Sequence, residues 1–249
     1  MNRNEFLEAL PLTHIVLKLT NATLEICMDV IDDIHVMVSG ADAEVQTLNI
    51  AVKNNQLLLE QPMLSMQKSP NANSWLQVTI RLPQSWKGHI DARTVSGWIT
   101  VRGLSGTDLT LDSVSGVIKA SYLLFQTATM RTVTGDIRLT DAVCTRVSLG
   151  TTSGGIVAEN ASLSQCTLTT ITGSADINLR SPFRKISANS VTGNLSISAP
   201  IEQCCVNHRC VSGRLNASEV SIVEQAEASV QFNTVAGDIS ITHTILPEA

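Results

Sequence analysis

Eight times a glycine follows a pair of the type Val/Ile/Thr then Ser/Thr/Ala: Gly97, Gly116, Gly135, Gly154, Gly173, Gly193, Gly213 and Gly237. Successive glycines lie 19, 19, 19, 19, 20, 20 and 24 residues apart. A fixed period near 20 residues marks a solenoid, in which a unit buries its apolar face only by stacking on its neighbours. Glycine inside a strand-like stretch loses backbone entropy and packs nothing. A column of them must therefore answer to the geometry of the stack.

Two residues before the glycines stand Val95, Val114, Val133, Thr152, Ile171, Val191, Val211 and Val235. Two after stand Ile99, Ile118, Ile137, Ile156, Ala175, Leu195, Leu215 and Ile239. This period-two pattern predicts a strand with these side chains on one buried face, glycine included. Seven and five residues before the glycine lies a second apolar pair, such as Leu109 and Leu111. Parity breaks between the five-before and two-before positions, so a corner or bulge is expected there. An inward glycine would let the opposite wall approach; a left-handed turn would also demand glycine. Both readings stay open.

The predicted fold is an all-β, single-stranded parallel β-solenoid of the right-handed β-helix type. Residues 86–249 form about eight repeats, and residues 1–85 form an irregular β segment that caps the stack. In that segment HIVLKL, TLEICM, IHVMV, VQTLNIAV, QLLLEQ and WLQVTIRLP read as strands. KNNQL reads as a hairpin turn, NEFLEAL as a short amphipathic helix or end cap, and residues 64–74 as a flexible polar loop.

The chain is 43% hydrophobic, enough for a substantial core, and its net charge of −5 argues against a nucleic-acid surface. No apolar run is long enough to cross a bilayer. The start lacks the basic-then-apolar profile of a secretory signal, so a cytoplasmic location is expected. The six cysteines are irregularly spaced with no C-x-x-C. Cys205, His208 and Cys210 come nearest to a metal-ligand set, but reduced, packed thiols are the expectation, with no metal and no cofactor.

At VTIRLPQSWKGHIDARTVSGWITV the chain resembles the bacterial "putative adhesin" family of β-strand repeats. The resemblance rests on a strand ending in proline, Ile80-Arg81-Leu82-Pro83, and on VTGDI (133–137), VTGNL (191–195) and VAGDI (235–239). It implies a β-solenoid, often on exported or membrane-linked proteins, so cell-surface association is the alternative location. It brings no mechanism with it.

Polysaccharide cleavage on a β-helix needs acids clustered on one outer face. Asp136 and Asp238 occupy equivalent places five units apart in sequence, and Asp112, Asp141 and Asp176 fall at other phases. They read as solvated side chains, and the chain as no enzyme. Three and one residues before the glycines runs a double column of hydroxyls: Thr94 and Ser96, Ser113 and Ser115, Thr132 and Thr134, Thr151 and Ser153, Thr170 and Thr172, Ser190 and Thr192. This column is expected to face outward as an interaction face. Its T-x-T pattern also resembles the ice-binding face of some solenoid antifreeze proteins. A carbohydrate face would need several exposed aromatics, and only Trp98, Trp86 and Tyr122 qualify. What is left is a non-catalytic scaffold that binds a protein partner or a second copy. The C-terminal coil, ending in VAGDISI, is the expected site of homo-oligomerisation.

Overall fold

A computed structural model describes residues 1–9, 12–62 and 75–245. The polar stretch 64–74, and Pro247 and Glu248 of the tail, lie outside the described residues. The chain forms a β-solenoid. Typical coils have a long strand before the glycine, as in Ser105–Ser115 and Leu124–Thr134, and a short one after it, as in Ile118–Ser121 and Ile137–Thr140. Equivalent strands pair in parallel and in register: Leu109 lies beside Ala128, Leu111 beside Met130 and Ile118 beside Ile137. The alternation of apolar residues thus becomes ladders of like side chains. Ile99, Ile118, Ile137, Ile156 and Ile239 are wholly buried. Each such burial contributes about 1.5–3 kcal/mol.

The corner falls later than the parity break suggests. Buried alternation runs on through the position three before the glycine, where Ser113, Thr132 and Thr151 are enclosed. The next two residues both face solvent, and Val114 is 48% exposed. The valines two before the glycine are therefore not inward, as expected, but outward at the corner. β-Branched residues favour extended backbone whether or not they are buried, so their apolar character misleads here.

Of the two readings, the positive-φ one holds, with φ positive at seven of the eight glycines of the column, and the inward one does not: what approaches the glycine is the backbone of the neighbouring coil, not the opposite wall. Gly154 has φ +148°, a conformation that L side chains rarely adopt. A Cβ on it would lie 2.1 Å from the carbonyl oxygen of Gly135 on the neighbouring coil. The crowding runs along the stack. A second corner follows the short strand, with Tyr122, Asp141 and Asn160 at φ near the left-handed region (55°, 52° and 51°). Asn160 Nδ2 donates to Asp141 Oδ1 there, so Asp141 is a turn residue.

Stacking order departs from chain order at both ends. The Gly237 coil, with strands Ser229–Asn233 and Ile239–His243, lies between the Gly193 and Gly213 coils. The long connection before residue 229 lets the chain pass back inside its own penultimate coil. At the other end, His14–Asn21 sits between Gln56–Glu60 and His89–Ser96. Thr23–Asp29 likewise sits between Leu76–Pro83 and Ile99–Arg102.

The N-terminal end is closed by antiparallel strands. Asn49–Lys53 covers Gln56–Glu60 through a turn at Asn54 and Asn55, both at positive φ. This is the hairpin expected at KNNQL. Ile34–Gly40 covers Leu76–Pro83 and is itself covered by Asn2–Leu7. NEFLEAL therefore does not open a helix: residues 2–7 form an edge strand with alternating exposure, because an open sheet edge offers backbone partners that an isolated short helix lacks. The helix among the described residues is Asp42–Thr47. Beside it Gln61 Nε2 donates to Glu44 Oε2 (2.7 Å), and Gln61 Oε1 accepts from the backbone N–H groups of Thr20 (2.8 Å) and Asn21 (3.2 Å). Both side chains are buried, and the network ties the cap to the second rung.

Candidate interaction surfaces

The expected outward double column of hydroxyls divides at the corner. Thr94, Ser113, Thr132, Thr151 and Thr170 are buried, and Ser190 is half-buried. Carbonyls at the corner hold some of them: Thr132 Oγ1 donates to Gly116 O and Thr151 Oγ1 to Gly135 O, each at 3.2 Å, whereas the hydroxyls of Ser113, Thr170 and Ser190 are enclosed without a hydrogen-bond partner. Ser115, Thr134, Ser153, Thr172 and Thr192 are exposed, with Ser96 half-buried. These outer hydroxyls turn to the preceding coil, as Thr134 does to Val114 O and Thr172 to Thr152 O. The T-x-T pairs do not share a face, so the flat hydroxyl array needed for ice binding is not formed.

An apolar ladder takes the outer place instead. In stacking order its rungs are Val95, Val114, Val133, Thr152, Ile171, Val191, Val235 and Val211. Six of the seven apolar rungs are 42–51% exposed, and Val211, at the end, is 85% exposed. At a strand spacing of about 4.8 Å the ladder runs roughly 35 Å. Its sequence signal was the pair of residues between a buried hydroxyl and the glycine, a spacing that breaks period two.

The residue after the glycine carries a second repeated contact. Asp136 Oδ1 accepts from Gly155 N, Asn194 Oδ1 from Asp238 N, and Asp238 Oδ1 from Arg214 N, at 2.7–2.9 Å. Of the aspartates read as solvated, Asp136 and Asp238 are thus acceptors that join coils. Because the Gly237 coil is inserted, Asp136 and Asp238 are four rungs apart rather than five, about 19 Å at the strand spacing. Asp112 faces Arg93 (3.7 Å) on the neighbouring coil. No acidic pair is assembled by these contacts.

Of the aromatics, Trp86 is buried and its Nε1–H donates to Leu12 O (2.8 Å). Trp98 is exposed beneath Lys119 Nζ, 5.2 Å from the ring centre, and Tyr122 lies beneath Arg102. The six cysteines are free thiols. Burial pushes Cys144 up to about 11 and Cys166 up to about 12, which makes them packing groups rather than nucleophiles. His208 stacks on Phe232, with ring centres 5.5 Å apart. Among the described residues no three His, Cys, Asp or Glu side chains come together as a metal site. No helix among them is long and apolar enough to cross a membrane. An open groove of about 420 Å³ runs over the outer strand starts, lined by Leu124, Phe125, Val143, Leu163 and Pro182.

The family pattern Toastrack DUF4097 matches residues 12–245. The chain belongs to this family. Solved structures share the toastrack fold at low identity. A "putative adhesin" from Bacteroides fragilis superposes with TM-score 0.64 at 15% identity, over 96% of this chain and 97% of that one. A "putative adhesin" from Parabacteroides distasonis gives 0.65 at 10% identity, over 97% of each chain. A "putative lipid binding protein" from the same organism gives 0.55 at 14% identity, over 96% of each. The toastrack chain matches no curated protein.

Proposed function

We propose that this toastrack chain is a non-catalytic scaffold that binds a protein partner along its apolar ladder. The observation that carries this reading is the ladder itself. Seven β-branched apolar side chains stand in solvent on one rigid line, although the same positions could carry threonine, as the Thr152 rung does. Contiguous exposed apolar surface of this kind marks interaction sites. Asp136 and Asp238, the aspartates at equivalent places in the repeat, are engaged in joining coils. The adhesin names of two structural neighbours point the same way. Six free thiols support a reducing compartment.

The test is capture from native extract with photo-cross-linkers placed beside Val133, comparing wild type with Val133→Asp and Ile171→Asp. Loss of one defined cross-linked species in both folded variants is expected. Equal capture by all three proteins would overturn the ladder as the binding line. Robust turnover of polysaccharide, ester or phosphate-ester substrates, abolished by Asp136→Ala, would overturn the non-catalytic reading.

A second reading is carried by the groove at Leu124 and Val143, which are 59% and 38% exposed. Together with the lipid-binding name of one neighbour, it supports an acyl-chain ligand. Saturable binding of a fluorescent fatty acid, weakened by Val143→Asp, would support that reading; no binding would end it.

A further inference from the structure

The two ends of the rod are finished differently. At the N-terminal end, antiparallel strands lie over both sheets. At the other end the outermost rung is the Gly213 coil, and no strand among the described residues covers Leu215–Ser218 on its outer side: it pairs only with Ile239–His243. Leu215 is 38% exposed, whereas its equivalents Leu195 and Ile239 are buried to within 1%. Elsewhere the N–H two after the glycine donates to the next rung, as Leu195 N does to Asp238 O and Ile239 N to Arg214 O. Leu215 has the same orientation with no further rung to meet. An open edge of this kind recruits another strand.

We infer that the rung is completed by a second copy of this chain, docked tail to tail, with Leu215–Ser218 pairing antiparallel to itself. Charge selects this occupant and this orientation. Arg214 stands just before the strand and Glu219 just after it, both exposed. Antiparallel self-pairing puts Leu215 opposite Ser218 of the second copy, and so Arg214 opposite Glu219 of the second copy. A parallel rung would set like charge against like. The longer end strand, Gln203–Arg209, is already paired at Gln203 and Cys204 with Ser221–Ile222, so the edge left for the second copy is that of Leu215–Ser218. A two-fold contact also closes on itself, whereas head-to-tail stacking would propagate into a filament. The closed N-terminal end offers that filament no bare parallel rung. The contact lies apart from the central rungs of the apolar ladder and stands whether or not that ladder binds a partner.

The experiment is sedimentation velocity of the full chain over a range of concentrations, with circular dichroism to show that each variant is folded. Wild type is expected to pass from monomer to dimer and to stop there. Arg214→Glu and Glu219→Arg, taken singly, should each weaken the dimer by about tenfold or more, since each places like charges face to face. The double variant Arg214→Glu/Glu219→Arg should restore it. Val133→Asp, on the ladder, should leave dimerisation unchanged. A monomeric wild type at all concentrations would overturn the inference. So would a dimer indifferent to both single reversals, or one lost only with Val133→Asp.

Discussion

The Asp136 carboxylate accepts a 2.9 Å hydrogen bond from the backbone N–H of Gly155, the residue that holds Asp136's own position on the next coil. The aspartate after the glycine in VTGDI thus reaches along the stack to an N–H at the corner. Asn194 does the same toward Asp238: Asp and Asn both supply an oxygen on a short side chain at this position, which Trp98, Val117, Gly155, Ser174 and Arg214 fill in the other units.

Replacing Asp136 with Asn keeps that acceptor, and stability should stay within about 0.5 kcal/mol of wild type. Asp136→Ala removes it and should cost about 0.5–1.5 kcal/mol. Urea denaturation of the three proteins separates the cases. Equal losses for Asn and Ala would mean that charge, not the hydrogen bond, matters at this position.

Two glycines four residues apart should respond in opposite ways to alanine. Gly154→Ala meets a carbonyl oxygen at 2.1 Å and a φ of +148°, and should cost about 1–3 kcal/mol or more. At Gly150 the nearest atom to an added Cβ is Arg131 Cγ at 3.7 Å, an ordinary contact. Gly150→Ala in its strand should be neutral or stabilising by up to about 1 kcal/mol. Thermal melts of the pair test the claim that the glycine column is set by approach of backbone to backbone.

The buried thiols predict an alkaline limit. With an ordinary value of 9.0, Cys144 and Cys166 ionise in the unfolded chain before they do in the fold, where burial holds them near 11 and 12. Their folded values are raised, so the stability they contribute is whole below about pH 9 and is lost as pH climbs toward 12. In reductant, the unfolding free energy should fall over that window, and less steeply in Cys144→Ala/Cys166→Ala. At neutral pH a thiol reagent should modify exposed Cys210 quickly. Cys144 and Cys166 should react only on unfolding.

Gln61→Leu should be among the costlier single changes. It strips the acceptor from the N–H groups of Thr20 and Asn21 and the donor from buried Glu44. A loss of about 2–3 kcal/mol is expected. Hydrogen exchange should show it first as faster opening of residues 14–29. Uniform loosening of the whole rod would argue that the network is not local to the cap.

Much of this architecture could be read from the glycine period, because a translational stack writes one rung's chemistry into every repeat. Ile118 and Ile137 announced their ladder directly. The corner was harder. Val114 looks like a core residue and Ser113 like a surface one, and the structure reverses them. At the next rung a backbone carbonyl claims the hydroxyl, Thr132 at Gly116 O, and no hydropathy pattern reports such a bond; Ser113 Oγ takes the same enclosed place without one. The order of the end rungs was not legible either. Gly213 and Gly237 carry the same phrase, and local sequence cannot say which of two equivalent units stacks on Gly193. The only trace was the spacing of 24 rather than 20 residues before Gly237.

That inserted rung has a consequence for how the rod is made and how it resists force. Residues 203–218 leave the ribosome before residues 229–243, yet stack outside them. Winding from first coil to last cannot by itself complete this end; the earlier unit has to wait, or yield its seat to the later one. A pull on the chain beyond His243 would bear on a strand clamped on both edges, by Leu195–Ala199 and Leu215–Ser218. The rod is therefore stapled from within at its tail, and tension applied there cannot simply unzip it from the outside.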